Sequence, residues 1–195
     1  MSSVNAEIHN DIQDELKSSI GMTVILVSLM MFFGTLFFGY AVYRFTTETW
    51  PPMGMQKINL MLPSMTTIAV SLGSLFFEIS KKYLNKNNKI QGKNFLILSI
   101  VMGLSYVFFQ YLLWRSMGQL GLYTSTGIFA SLIYAFTWIH VAHMSMALIL
   151  FFWAYIALLP REINKKMLRS FTNIGTFWHF LSGIWFFIFI FLFVL

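Results

Sequence analysis

Residues 128–159 read IFASLIYAFTWIHVAHMSMALILFFWAYIALL, and this stretch contains no Asp, Glu, Lys or Arg. A transmembrane α-helix needs about 20 consecutive apolar residues, because the hydrocarbon core of a bilayer is about 30 Å thick. The stretch is long enough and apolar enough to meet that requirement. It therefore predicts a helix that crosses a membrane, and this prediction decides how the rest of the chain is interpreted.

Four further apolar runs flank this stretch on both sides. Together they give five predicted spans, at about residues 20–45, 60–79, 95–114, 128–159 and 172–195. Short polar connections separate the runs, so almost no mass is expected outside the bilayer. Residues 1–19 form a separate amphipathic segment, which is too acidic for a signal peptide. The predicted fold is an all-α integral membrane bundle of five transmembrane helices, at 20–195.

The overall composition agrees with a membrane protein and excludes several other classes. Of the 195 residues, 57% are hydrophobic and 10% are charged, whereas soluble domains carry about 25% charged residues. Cysteine is absent, which excludes disulfides, thiolate nucleophiles and cysteine-held metals. The sequence contains no Gly-rich phosphate loop, acid pair or Ser–His–Asp set. We therefore expect no catalytic site in this chain.

The distribution of lysine and arginine predicts the orientation, since the cytoplasmic loops of membrane proteins carry an excess of both. The side with the N-terminal tail has ten such residues: Lys17, Lys81, Lys82, Lys86, Lys89, Lys93, Arg161, Lys165, Lys166 and Arg169. The opposite side has three: Arg44, Lys57 and Arg115. We expect a cytoplasmic N-terminus and Leu195 outside. The net charge of +6 then suits anionic lipid headgroups, and nothing indicates nucleic-acid binding.

The N-terminal segment has an apolar residue at every fourth position: Ile8, Ile12, Leu16 and Ile20. This spacing places the four side chains on one helical face, while acidic residues fill other faces. Two interpretations are open. The segment is either a helical lead-in to the first span or an acidic cytoplasmic contact with a partner subunit.

Ionisable side chains inside a membrane are rare and mark candidate functional sites. His140 and His143 lie three residues apart on the fourth span, and His179 lies on the fifth, near its cytoplasmic end. One interpretation is that they hydrogen-bond neighbouring helices. Another is a b-type haem held between His140 or His143 and His179. A proton relay would need carboxylates beside them, and Glu78 is expected instead at the cytoplasmic interface, next to Lys81.

Several short motifs follow one another in an order that carries a family resemblance. They are Trp50-Pro51-Pro52, Leu62-Pro63, Thr66-Thr67, Phe109-Gln110, Thr124-Ser125-Thr126-Gly127, His140-x-x-His143, and Trp178-His179-Phe180 with Trp185. In order and spacing, over about residues 20–190, the chain resembles subunit III of the haem–copper terminal oxidases. It is similar to the five-helix form found in many bacterial members of that family.

The resemblance implies a non-catalytic accessory subunit of a respiratory terminal oxidase, in the inner membrane of the cell. It implies no cofactor in this chain, with haem and copper in the partner subunit. The implied partners are oxidase subunits I and II and membrane lipids. The residues carried over as structural and lipid-associated candidates are His140, His143, His179 and Trp185, with Trp50 and Pro51 in the outer loop.

Two positions depart from the family pattern. Leu29 stands where many members have a carboxylate, and Ser182 stands where the Trp-His-Phe-x-Asp sequence has its acid. We therefore expect the histidines to lack carboxylate partners, and the chain to act as a scaffold without handling protons. A subunit-III-like protein of a nitric oxide reductase and a free-standing b-type cytochrome are the alternatives. The electron donor of the complex is either cytochrome c or a quinol.

Overall fold

The computed structural model describes residues 2–48, 59–159 and 163–194. Within these ranges the chain forms five long α-helices and no β-strand. They are α1 (Ser2–Thr46), α2 (Met61–Asn85), α3 (Lys89–Gln119), α4 (Ile128–Leu158) and α5 (Lys165–Phe189). A π-helical turn at Ile190–Val194 follows α5 directly. All five are long and apolar enough to cross a membrane. The predicted all-α bundle of five membrane helices is confirmed.

Several helices extend beyond the predicted spans. α1 includes residues 2–19 without a break, and α2 and α3 take up most of the connection expected at 80–94. α5 begins seven residues before the predicted 172, at Lys165. Hydropathy marks only the part of a helix that suits lipid, whereas the backbone hydrogen bonds of a helix continue into polar residues. The apolar runs therefore locate the spans but not the helix ends.

A tight turn at residues 86–88 joins α2 to α3. Asn87 adopts a positive φ of 57°, a conformation that Asn tolerates better than most residues. Asn88 caps α3, because its Oδ1 accepts a hydrogen bond from the Gln91 backbone N–H at 3.2 Å. Further from the turn, the buried Ser80 hydroxyl donates to the Gly92 carbonyl at 2.7 Å. These contacts hold α2 and α3 together as an antiparallel hairpin.

A stack of three phenylalanine rings joins α2, α4 and α5. The Phe77 ring lies parallel to Phe151 and Phe171, with ring centroids 4.7 Å and 4.9 Å away. Phe77 is wholly buried, and its edge faces Gly175 so closely that a Cβ there would overlap the ring. A small residue at a helix interface allows this close approach of neighbouring helices.

α1 is the least buried of the five helices. Of its most apolar stretch of 18 residues, 6% is buried inside the structure, against 33–39% of the corresponding stretches in the other four helices. Phe33 and Tyr40 are its buried side chains among the described residues. The Tyr40 hydroxyl donates to the Phe191 carbonyl at 2.6 Å, in the π-helical turn that follows α5. α1 therefore leaves most of its apolar surface facing outward.

Candidate functional site

The register of α3 against α4 brings the predicted His140 into the centre of the bundle. The Trp114 indole N–H donates to the Thr137 hydroxyl at 2.9 Å. Gln110 lies one turn before Trp114, and His140 lies three residues after Thr137, on the same faces of their helices. The two helices run antiparallel, so Gln110 and His140 lie at nearly the same height. Tyr106 follows one turn below Gln110, on the same face of α3.

Aromatic rings from three other helices enclose the His140 imidazole. The ring centroids of Phe33 on α1, Tyr106 on α3 and Trp185 on α5 lie 6.0, 6.0 and 5.5 Å from it. His140 has no exposed surface. We call Phe33, Tyr106, Gln110, His140 and Trp185 the His140 cluster. Four of the five helices meet at this cluster.

The His140 cluster does not suit a haem. A haem would need open space beside an imidazole nitrogen, in the plane of the ring, whereas His140 has no exposed surface and is surrounded by the rings of Phe33, Tyr106 and Trp185. The second proposed ligand, His179, has its contacts on α2 instead. Separately from haem, which needs only one or two histidines, no three His, Asp or Glu side chains among the residues that the structure describes come together as a metal-binding group.

Two tryptophans of α5 anchor this helix to α2 by similar hydrogen bonds. The Trp185 N–H donates to Thr67 Oγ1 at 3.1 Å, and the Trp178 N–H donates to Ser74 Oγ at 3.0 Å. Ser182 lies 3.1 Å from Ser74, oxygen to oxygen, and donates its own hydroxyl to the Trp178 carbonyl at 2.9 Å. Ser182, which stands at the family's acid position, therefore belongs to a short uncharged chain of hydrogen bonds.

His143 makes its hydrogen bond within its own helix. Its Nδ1 lies 2.7 Å from the Ile139 carbonyl, one turn earlier on α4, and donates to it, because a carbonyl can only accept. The ring packs edge-on against Phe33, with centroids 5.8 Å apart. Leu29, one turn before Phe33, is partly buried against the core. His143 therefore touches α1 through ring packing, and the expected hydrogen bond to a neighbouring helix is not observed for it.

His179 has a carboxylate partner, contrary to expectation. Its Nε2 lies 2.9 Å from Glu78 Oε1 on α2, and the Lys81 Nζ lies 3.8 Å from the same oxygen. The Glu78 and His179 side chains are 50% and 36% exposed on the flank of the bundle. The expectation that the loss of both family acids leaves the histidines without carboxylates is wrong for His179, since the antiparallel packing of α2 and α5 supplies another acid.

Four further residues complete the comparison between the predicted and the observed site. Trp50 and Pro51 lie outside the described residues. Tyr106 was not singled out, and Gln110 entered only as part of a motif. Side chains with polar atoms at 106, 110 and 114 of the third span recur every four residues, and this spacing indicates one helical face. That periodicity is the signal that could have marked the face of α3 towards His140.

Comparisons with known proteins agree with this architecture. The family model described as cytochrome c oxidase subunit III matches residues 3–195. A cytochrome c oxidase subunit 3 from Synechocystis is 24% identical over 180 residues, covering 90% of this chain and 74% of that protein. A probable quinol oxidase subunit 3 from Staphylococcus saprophyticus is 23% identical, covering 88% and 86%. A haem–copper oxidase subunit I+III from Aeropyrum pernix is 21% identical, covering 89% of this chain and 22% of that protein.

Proposed function

The chain belongs to the cytochrome c oxidase subunit III family, and from this premise we propose that it packs directly against oxidase subunits I and II in the inner membrane of the cell. It is an accessory subunit of a haem–copper terminal oxidase and a multi-pass membrane protein. Its role is to stabilise the catalytic subunit and to hold lipids at their common surface. The haem and copper centres belong to that catalytic partner.

The outward apolar surface of α1 is the observation that carries this proposal. Large side chains such as Met30, Met31, Phe38 and Phe45 are 62–87% exposed on this helix. Such a surface buries itself equally well against lipid or against another membrane helix, because lipid tails are as apolar as these side chains. A scaffold needs shape and apolar surface, and the site described above adds no nucleophile or metal group to it.

The fused relative supports direct contact with subunit I. The Aeropyrum pernix protein carries subunits I and III in one chain, by its name, and this chain matches 22% of it. Two modules joined by a linker are held at a high effective concentration. A fusion of this kind is compatible with function only if the two modules can lie side by side in one membrane.

A groove at the junction of α4 and α5 fits the proposed lipid. It has a volume of about 160 Å³, and its apolar lining includes Trp153, Ala157, Met167 and Phe171. The Lys166 side chain also lines it. An acyl chain would pack on the apolar walls, while the ammonium group would attract an anionic headgroup at the membrane surface.

The predicted site residues take structural roles in this proposal. His140 and Trp185 join four helices in the core, whereas His143 and His179 pack and hydrogen-bond nearer the flanks. Trp50 and Pro51 lie between α1 and α2 in the sequence, outside the described residues. None of these residues touches a redox centre in this proposal, so changing His140 to Phe should destabilise the subunit and leave the haem content of the purified complex unchanged.

Deletion of the gene and its return on a plasmid test the proposed function. We expect the complex that lacks this chain to be recovered in lower yield, or to lose activity sooner during turnover. Unchanged assembly and unchanged turnover lifetime would contradict the proposal. Metal analysis of the complex purified through a tag on this chain should find haem with copper. Haem b with non-haem iron would instead point to a nitric oxide reductase.

The cytoplasmic N-terminus that we propose can be tested by labelling, because the chain has no native cysteine. Lys86 in the α2–α3 turn and Thr126 before α4 lie at opposite ends of the bundle. A single cysteine at position 126 should react with an impermeant maleimide added to the outside of spheroplasts, whereas one at position 86 should react only after lysis. The reverse pattern would overturn the proposed orientation.

A further inference from the structure

Three polar side chains in the middle of the bundle have no hydrogen-bond partner among the described residues. They are Tyr106, Gln110 and His140, and none of them has exposed surface. The unpartnered atoms are Tyr106 Oη, both amide atoms of Gln110 and both ring nitrogens of His140. Buried polar side chains are hydrogen-bonded in the large majority of cases, to protein or to ordered water. We propose that these three side chains bind at least one buried water molecule between α3 and α4.

The helix register brings these polar atoms together. The Trp114–Thr137 hydrogen bond fixes the interface on one side of them. On the other side, the backbone of Gly103 approaches Leu148 so closely that a Cβ at position 103 would overlap the leucine side chain. These two contacts define the register of the stretch between them, in which position 110 of α3 lies opposite position 140 of α4. The side chains of Tyr106, Gln110 and His140 therefore lie along the same stretch of the interface between α3 and α4.

The hydrogen-bonding capacity of the three groups suits water better than an ion. A neutral imidazole, an amide and a phenol each supply both donors and acceptors, whereas an ion of either sign needs partners of one kind. A buried water makes about three hydrogen bonds and needs two to four polar partners. A direct bond between Gln110 and His140 would use one atom of each, and would still leave the second amide atom, the second ring nitrogen and Tyr106 Oη to be satisfied. A water molecule can serve all three side chains.

The neighbouring rings make the proposed site a closed one. Phe33 and Trp185 pack against His140 from α1 and α5, and the Trp185 N–H is already donated to Thr67. These rings therefore offer no further polar atom to the site. Water held here would exchange slowly with the surroundings. It would tie α3 to α4 through hydrogen bonds that an apolar core cannot provide.

Radiolytic footprinting of the intact oxidase complex in detergent tests the proposal. Ionising radiation converts a bound water into a hydroxyl radical, which oxidises the side chains beside it even where they are buried. Trp185 and Trp178 are a matched pair: both lie on α5, both have no exposed surface, and both donate to a hydroxyl of α2. We expect Tyr106 and Trp185 to be oxidised several-fold faster than Trp178. Equal, low rates at all three would overturn the proposal.

Two variants make the test specific to the polar side chains. Gln110→Leu keeps a similar volume and removes the amide, and should lower the oxidation of Tyr106 to the rate of Trp178. Ser99→Ala is the control, because Ser99 is also buried on α3 but donates to the Gly73 carbonyl at 2.8 Å. It should leave Tyr106 unchanged. If Gln110→Leu does not assemble, a high-resolution density map of the wild-type complex decides: a peak within hydrogen-bond distance of Gln110 and His140 supports the site, and a direct contact between the two side chains refutes it.

Discussion

Replacing Gly175 with alanine should destabilise the bundle, although the change adds only one methyl group and alanine favours a helix more than glycine does. The added Cβ would overlap the edge of the Phe77 ring, with Cζ at 3.0 Å and Cδ1 at 3.2 Å. Phe77 cannot turn away, because Phe151 and Phe171 lie parallel to its two faces at 4.7 Å and 4.9 Å. The change therefore forces α5 away from α2 or distorts the ring stack.

The size of the effect follows from two opposing terms. Alanine stabilises a helix interior by about 1 kcal/mol relative to glycine, while overpacking a close-packed core costs about 1–3 kcal/mol. Gly183 is the matched control, since it lies on the same helix and a Cβ there would meet no atom within 4 Å. Gly175→Ala should therefore be about 1–3 kcal/mol less stable than Gly183→Ala, a factor of roughly 5–150 in the unfolding equilibrium.

The midpoint of SDS-induced unfolding in mixed micelles, followed by tryptophan fluorescence, measures this difference. A second variant isolates the contact: Phe77→Leu removes the ring atoms that the new methyl group meets. In that background Gly175→Ala should cost at least about 1 kcal/mol less than in the wild type, as expected for directly coupled residues. Equal midpoints for Gly175→Ala and Gly183→Ala would refute the rigid packing of Phe77.

Three further changes test separate contacts by the same measurement. Tyr40→Phe removes the hydrogen bond from α1 to the end of α5 and should cost about 0.6 kcal/mol, the average for such bonds in membranes; Tyr111→Phe, at an exposed position on α3, should cost nothing measurable. Ser182→Asp restores the family's acid at a buried position and should cost about 2.5–3.5 kcal/mol, far more than Ser182→Ala. Glu78→Gln removes a half-exposed charge beside His179 and should change stability by less than about 1 kcal/mol; a larger loss would contradict the solvent exposure of this pair.

The spans of this protein could be predicted because hydropathy reports directly on the contact between a helix and lipid. The same property could not show which helix faces are inside. The most apolar stretch of α1 is as apolar as that of α5, yet 6% of it is buried, against 39% for α5. In a membrane, an apolar side chain is no more stable in the protein core than in contact with lipid, because lipid tails are equally apolar. The periodicity of apolar residues therefore does not mark the core as it does in a soluble protein.

The contacts of the candidate site depend on helix register, which the sequence does not display. The sequence predicts Glu78 at the cytoplasmic interface and His179 near the same end of another span, but nothing in their spacing indicates that the two side chains pair. The structure pairs them because Ser74 and Ser182 let α2 and α5 approach closely one turn away. Tyr106 and Gln110 were likewise separate from His140 in the sequence. The register fixed by Trp114 and Thr137 brings them together.

The sparse attachment of α1 has a consequence for how the protein is made. The hydrogen bond between Tyr40 and the carbonyl at 191 joins positions 151 residues apart. A ribosome needs roughly 8–30 s to synthesise that length at about 5–20 residues per second. During this interval the first helix has already entered the bilayer and its partner does not yet exist. The membrane-spanning part of α1, at Leu16–Thr46, is apolar enough to remain alone in lipid, and its sparse attachment to the other helices thus suits the order of its biogenesis.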